Sequence, residues 1–168
     1  MDTLKELQES VVVSATPEQV FGLVSDVRRV GEWSPECVGV LARRGPLREG
    51  DRFIGLNRRG LHVWPTTCRV ARLEPGAVFG FRVTALGVPI ARWTYRITSE
   101  ADGTRLTEEW ADLRTGSTGG LAKFLGTLFA GTPPEKRIEV NRAGMRTTLQ
   151  ALKRIAESPA DRAPAAER

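Results

Sequence analysis

The chain has 168 residues, a hydrophobic fraction of 40%, a charged fraction of 27% and a net charge of +5. That is one domain's worth of chain with an ordinary globular composition, and no stretch approaches the roughly 18 continuous apolar residues of a membrane-spanning helix. Cys37 and Cys68 are the only cysteines, too few for a disulfide framework and without a C-x-x-C metal spacing.

The start, Met1-Asp2-Thr3-Leu4-Lys5-Glu6, lacks the charged-then-apolar form of a signal peptide. A reducing cytoplasm is therefore the expected location. The positive charge is largely arginine, with doublets at Arg28-Arg29, Arg43-Arg44 and Arg58-Arg59. Doublets scattered in this way suit solvated turns and faces. A nucleic-acid surface needs the charges gathered on one side with aromatics between them, so nucleic acid is not the expected partner.

In chain order, Leu7 to Ser14 is rich in valine and reads as a strand. Thr16-Pro17-Glu18-Gln19 is a helix start, with a capping box and proline at the first helical position. Val20, Phe21, Val24 and Val27 give that short helix its apolar stripe. A second short helix is expected over Val27 to Trp33, ended by Ser34-Pro35. From Cys37 on, turn signals recur every ten to fifteen residues, from Gly45-Pro46 to Asp102-Gly103. Six antiparallel strands are expected between them, near 37–44, 51–58, 61–73, 77–85, 89–99 and 104–114.

Residues 116–131 combine glycines with Leu121, Phe124, Leu125, Leu128 and Phe129. They suit either a plain packed segment, a lid hinged on its glycines, or an amphipathic contact with a membrane or donor protein. A helix from Pro133 to Glu157 follows, opened by a capping box at Thr132 and Glu135. At 1.5 Å per residue it is roughly 37 Å long. Its stripe is Ile138, Asn141, Met145, Leu149, Leu152 and Ile155. The domain is expected to span 1–157, and 158–168, built of Ala, Pro and charge, to be a disordered tail.

The order strand, two short helices, six strands, long helix predicts an α+β domain. A seven-stranded antiparallel sheet must bury one face, and only the last helix is long enough to cover it. A strongly twisted sheet rarely closes on one helix along its whole length, which leaves room for a cavity.

Side chains alternate along strands. Choosing the register that turns the bulkiest apolar residues inward puts Phe53, Gly55, Asn57, Trp64, Thr66, Cys68, Val70, Phe79, Phe81, Val83, Trp93, Tyr95, Ile97, Leu106, Glu108 and Trp110 inside. Arg69, Arg72, Arg82, Arg92, Arg96, Arg105 and Glu109 fall on the other face. The inner set suits either of two structures. Its aromatics can fill a core while its polar groups bond one another. Alternatively they wall a small-molecule pocket, which a mostly aromatic lining with a few polar groups resembles. In the second case Phe53, Asn57, Trp64, Thr66, Cys68, Phe79, Phe81, Trp93, Tyr95, Glu108, Trp110, Asn141 and Met145 line it.

Glu108, pointing inward, would have its pKa raised by desolvation and serve as acid, base or anchor. The alternatives are an edge or mouth position, solvated and paired with an arginine, or a bulge that flips the register. Tyr95 is either a hydrogen-bond donor into the cavity or a satisfied core residue. His62, after the Arg58-Arg59-Gly60 turn, is expected to be exposed, and a lone histidine is a poor metal or triad candidate. No G-x-S-x-G, G-x-G-x-x-G or P-loop sequence occurs. No metal or cofactor is expected, and nothing nearby would activate Cys68.

The element order comes with local phrases: Ala15-Thr16-Pro17-Glu18-Gln19-Val20-Phe21, Trp33-Ser34-Pro35, Gly50-Asp51-Arg52-Phe53, Glu74-Pro75-Gly76, Trp93-Thr94-Tyr95 and Gly103-Thr104-Arg105-Leu106-Thr107-Glu108. Together, over about residues 7–157, these resemble the START-like helix-grip superfamily (SRPBCC), in its polyketide cyclase/dehydrase and lipid-transport branch. The resemblance implies a curved seven-stranded sheet gripping a C-terminal helix, with a deep hydrophobic cavity for lipids, polyketides or sterols. It implies no single activity, because the fold hosts several.

The first expected function is binding of a hydrophobic small molecule, with Asn57, Tyr95 and Glu108 fixing its orientation. The second is a polyketide aromatase/cyclase or dehydratase in the same cavity, with Glu108 or Tyr95 moving the proton. The third is a protein- or nucleic-acid-interaction module using the basic outer face.

Overall fold

The structure, a computed structural model, describes residues 6–114 and 136–159, apart from the side chain of Arg137. Strand β1 (Glu6–Val13) leads to helix α1 (Pro17–Ser25) and a 3-10 helix (Val27–Glu32). Six strands follow: β2 (Cys37–Ala42), β3 (Arg52–Arg59), β4 (His62–Glu74), β5 (Val78–Ala85), β6 (Val88–Glu100) and β7 (Gly103–Asp112). Helix α2 (Arg137–Ala156) closes the described chain.

The strands form one antiparallel sheet in the order β1-β7-β6-β5-β4-β3-β2. The meander β2 to β7 follows directly from its hairpin turns, and β1 adds itself to β7. Bulges at Cys37/Gly39, Val70/Arg72 and Val83/Thr84 bend the strands and increase their twist. They help curl the sheet around what lies on its inner face.

The start of α1 is built as its sequence requires. Thr16 Oγ1 accepts from the Gln19 backbone N–H at 3.2 Å, and Gln19 Oε1 accepts from the Thr16 N–H at 3.0 Å. Val20, Leu23 and Val24 point into the core. Leu23 replaces the expected Phe21 as the third buried position, and Phe21 is only half-buried. Helix α2 buries Asn141, Met145, Leu149 and Leu152 as expected, with Ile138 and Ile155 half-buried. Its expected start at Pro133 and the capping box at Thr132 lie outside the described residues, as does segment 116–131. Lys136, the residue before the helix, makes no capping hydrogen bond through its side chain.

Helix α2 is fastened to the β1 edge. Glu9 Oε1 accepts from Arg142 Nη1 at 2.7 Å and Glu9 Oε2 from Arg146 Nε at 3.2 Å. Hydrogen bonding from Arg146 is the main influence that holds the Glu9 carboxyl below its ordinary pKa. At the other end Lys153 Nζ donates to the Val12 carbonyl at 2.6 Å, and the Ser14 N–H donates to Glu157 at 2.8 Å. The helix therefore does not roof the sheet alone. The 3-10 helix packs beside β2, and Val24, Val27 and Trp33 bury themselves over the far half. A main cluster around Val13, Phe79, Leu106, Leu149 and Leu152 fills the base. A smaller one around Leu7, Trp110 and Met145 sits at the opposite end. Between them the interior is open.

Candidate functional site

That opening is a cavity of about 360 Å³, at the lower end of the usual range for small-molecule sites. Its walls follow from strand register. Phe79, Tyr95 and Glu108 stand in one cross-strand row, and Phe81, Trp93 and Trp110 in the next. Phe53, Cys68 and Val83 form a third. Phe81 contacts both Phe53 and Phe79, with ring centroids 5.5 and 5.7 Å away. From α2 come Asn141, Gly144, Met145 and Thr148. Every residue expected to line a pocket does line this cavity, Asn57, Trp64 and Thr66 included.

Two of the expected polar groups differ in what they have left to offer. Asn57 Nδ2 donates to Thr66 Oγ1 at 3.1 Å and to the Gly55 and Trp64 carbonyls at 3.4 Å. Its amide N–H groups are spent on the wall. Glu108 is the opposite case. It is 3% exposed and meets no arginine among the described residues, which removes the solvated mouth position. Tyr95 lies directly across from it on β6, and the Tyr95 hydroxyl donates to Glu108 Oε1 at 2.9 Å. Glu108 Oε2 has no partner among the described residues.

Burial pushes the Glu108 carboxyl up to about 8, although the Tyr95 hydrogen bond works in the other direction. Near neutral pH the group is therefore mostly the neutral acid. Burial, followed by the neighbouring Glu108 charge, raises the Tyr95 phenol well above the usual tyrosine range, while Trp33 beside it acts oppositely. Tyr95 thus stays a donor.

Two more buried polar atoms in this cavity lack a hydrogen bond among the described residues: Trp33 Nε1, which lies near the Tyr95 hydroxyl, and Asn141 Nδ2. An unpaired buried donor costs about 1–3 kcal/mol. Such atoms in a cavity wall mark places where a ligand atom gains by binding. Trp33 was absent from the sequence expectation, together with Val24, Val27 and Val30, which also line the cavity. Their helical spacing reads as core packing, and nothing in the spacing says that the core has a hole beside it. Burial disfavours the thiolate at both cysteines. Burial pushes Cys68 up to about 12 and also raises Cys37.

The cavity opens among the described residues where the exposed Pro35, Pro65 and Leu86 line it. Two ion pairs stand at its lining, Arg59 with Glu36 at 2.8 Å and Arg114 with Asp112 at 2.6 Å. His62 is exposed. No group of three or more potential metal ligands exists among the described residues. No described helix is long and apolar enough to cross a membrane.

Comparison with known proteins agrees with this architecture. A solved structure of a polyketide-cyclase-like protein, Cgl2372 from Corynebacterium glutamicum, is 30% identical over 94% of each chain, with a TM-score of 0.57. The di-domain ARO/CYC StfQ from the steffimycin biosynthetic pathway shares the fold at 15% identity and a TM-score of 0.68, and this chain spans about half of it (52%). Ara h 8.0201 shares the fold at 7% identity and a TM-score of 0.67, over 92% of this chain and 98% of that one. No curated protein matches the sequence. The family model described as polyketide cyclase/dehydrase and lipid transport matches residues 5–157. The seven-stranded curved sheet, the helix it holds and that match agree, and the chain belongs to the polyketide cyclase/dehydrase and lipid transport family.

Proposed function

We propose that the protein binds a hydrophobic small molecule that carries acceptor oxygens at one end, a lipid- or polyketide-like compound. The observation that carries this is the pairing of an aromatic cavity with three unpartnered buried polar atoms, Trp33 Nε1, Asn141 Nδ2 and Glu108 Oε2. The first two are donors, and Glu108 becomes a third in its neutral form. An oxygen of a ketone, ester or hydroxyl would satisfy them, while the aromatic rows would take the apolar body at about 25 cal/mol per Å² buried.

The test uses 1-anilinonaphthalene-8-sulfonate as a reporter of the cavity. A medium-chain methyl ketone and the alkane of equal length are titrated against it. The ketone is expected to displace the dye about tenfold more effectively, the worth of one net hydrogen bond. Displacement by neither compound would remove the binding function. Equal displacement would remove the role of the three polar atoms.

A second reading has one observation in its favour, the buried Glu108 carboxyl held by the Tyr95 hydroxyl in the cavity wall. A carboxyl poised near neutral pH can give a proton to a carbonyl and take one from carbon. That is the step a cyclase or dehydratase needs once the cavity has folded the chain into position. Turnover of a poly-β-keto thioester mimic should then be lost in Glu108→Gln. Turnover at the wild-type rate in that variant would exclude the acid/base role.

A further inference from the structure

The convex face of the sheet carries an arrangement unconnected with the cavity. Strand register sets Arg52 opposite Arg69, Arg69 opposite Arg82, and Arg82 opposite Arg92. Four arginines therefore stand in one row across β3, β4, β5 and β6, and all four are exposed. With strands about 4.8 Å apart the row is roughly 14 Å long. Arg92 has Glu6 at 3.6 Å, whereas Arg52, Arg69 and Arg82 have no acidic partner among the described residues. Elsewhere on this face the rule is the reverse. Arg72, Arg96 and Arg105 each meet a carboxylate, of Glu74, Glu109 and Glu100. Like charges directly opposed across strands destabilise a sheet, so the unpaired row works against folding. Beside it, Leu41 and Ile54 are opposed on β2 and β3 and stand 74% and 45% exposed.

We propose that this row and its apolar flank dock an acidic amphipathic helix of a partner protein, laid across the strands. Side chains three and four apart on a helix are about 5–6 Å from one another, close to the spacing of the arginines. A glutamate or aspartate stripe of four such residues would meet the row charge for charge. The helix's neighbouring apolar stripe would fall on Leu41 and Ile54. A polynucleotide offers no apolar surface to those two residues. Among the described residues this face also presents no aromatic ring for base stacking, because the sheet's aromatics line the cavity on the other side. Insertion into a bilayer requires apolar side chains that project past the charges. Here Arg52 shares the exposed face of β3 with Ile54, so a charge borders the apolar pair.

The experiment measures fluorescence anisotropy of a labelled helical peptide with glutamates at i, i+4, i+7 and i+11 beside a leucine stripe. A scrambled peptide of the same composition is the control. The patterned peptide is expected to bind at least about tenfold more tightly than the scrambled one, and to weaken as salt screens the row. The double variant Arg69→Glu with Arg82→Glu should lose at least about tenfold of that affinity. It should melt no lower than the wild type, because the pairs at positions 52/69 and 82/92 then become opposite in charge and only the 69/82 pair stays like-charged. Ile54→Ser should weaken binding without changing its salt dependence. Equal binding of both peptides, or a double variant that binds as the wild type does, would overturn the proposal. So would tighter binding of duplex DNA or phosphatidylserine vesicles than of the patterned peptide, lost in the same double variant.

Discussion

Replacing Glu108 with glutamine should change how stability depends on pH. In the folded protein the carboxyl sits near 8, against an ordinary value of 4.5. Between those values the folded state holds a proton that the unfolded state has released. Stability contributed by the group is then fully present below about pH 4.5 and is lost as pH rises to about 8, after which the dependence flattens. The displacement is 8 minus 4.5, or about 3.5 units, and at 1.36 kcal/mol per unit it reaches about 5 kcal/mol. That is an upper bound, since water entering the cavity at high pH would reduce it.

Glutamine keeps the shape, still accepts from Tyr95 and cannot ionise. Urea unfolding of both proteins at steps from pH 5 to 9 measures the difference. The two should agree to within about 1 kcal/mol at pH 5, where both side chains are neutral. By pH 8.5 the variant should be the more stable by several kcal/mol. Parallel curves across the range would refute the buried, neutral carboxyl and the chemistry that rests on it.

Tyr95→Phe should remove the donor to Glu108 Oε1 and cost about 1–2 kcal/mol near neutral pH. It should also extend the pH-dependent loss of stability to a higher pH, its start near 4.5 unchanged, because the anion loses its stabilising hydrogen bond; the same urea series reads both effects. Leu86 and Gly87 form the two-residue hairpin turn between β5 and β6, and Leu86 holds a positive φ of 49°. Leu86→Asn relieves that strain in a position that favours asparagine. It should raise the melting temperature by about 2–4 °C, as roughly 1 kcal/mol does at this size.

Much of the fold was legible because strands report themselves locally. The split between Phe79, Phe81, Trp93, Tyr95 and Trp110 on one side and Arg69, Arg82, Arg92 and Arg96 on the other needs only a period of two. Once that split is made, Tyr95 and Glu108 must share a face. Their direct opposition is a further step, set by the turn at Asp102-Gly103. The helix stripe through Asn141 and Met145 is likewise a matter of periodicity.

Other features depended on distances that no local pattern encodes. Asn57 and Glu108 are both polar residues on the inner face, yet Asn57 finds Thr66 and three-fold use of its amide while half of the Glu108 carboxyl finds nothing. Which of the two is spent depends on neighbours brought in from other strands. Trp33 and Val24 become cavity walls because the 3-10 helix is carried over the sheet beside β2. The fastening of α2 to the β1 edge through Glu9 joins residues more than 130 positions apart.

The sequence by itself thus determined the elements, their order and the face each side chain takes, because backbone periodicity and turn chemistry act over a few residues. The tertiary structure decided that the described residues leave a cavity on the inner face instead of a filled core, and which buried polar atoms there have no partner among them. Those outcomes depend on the curvature of seven strands at once and on where two remote helical segments come to rest.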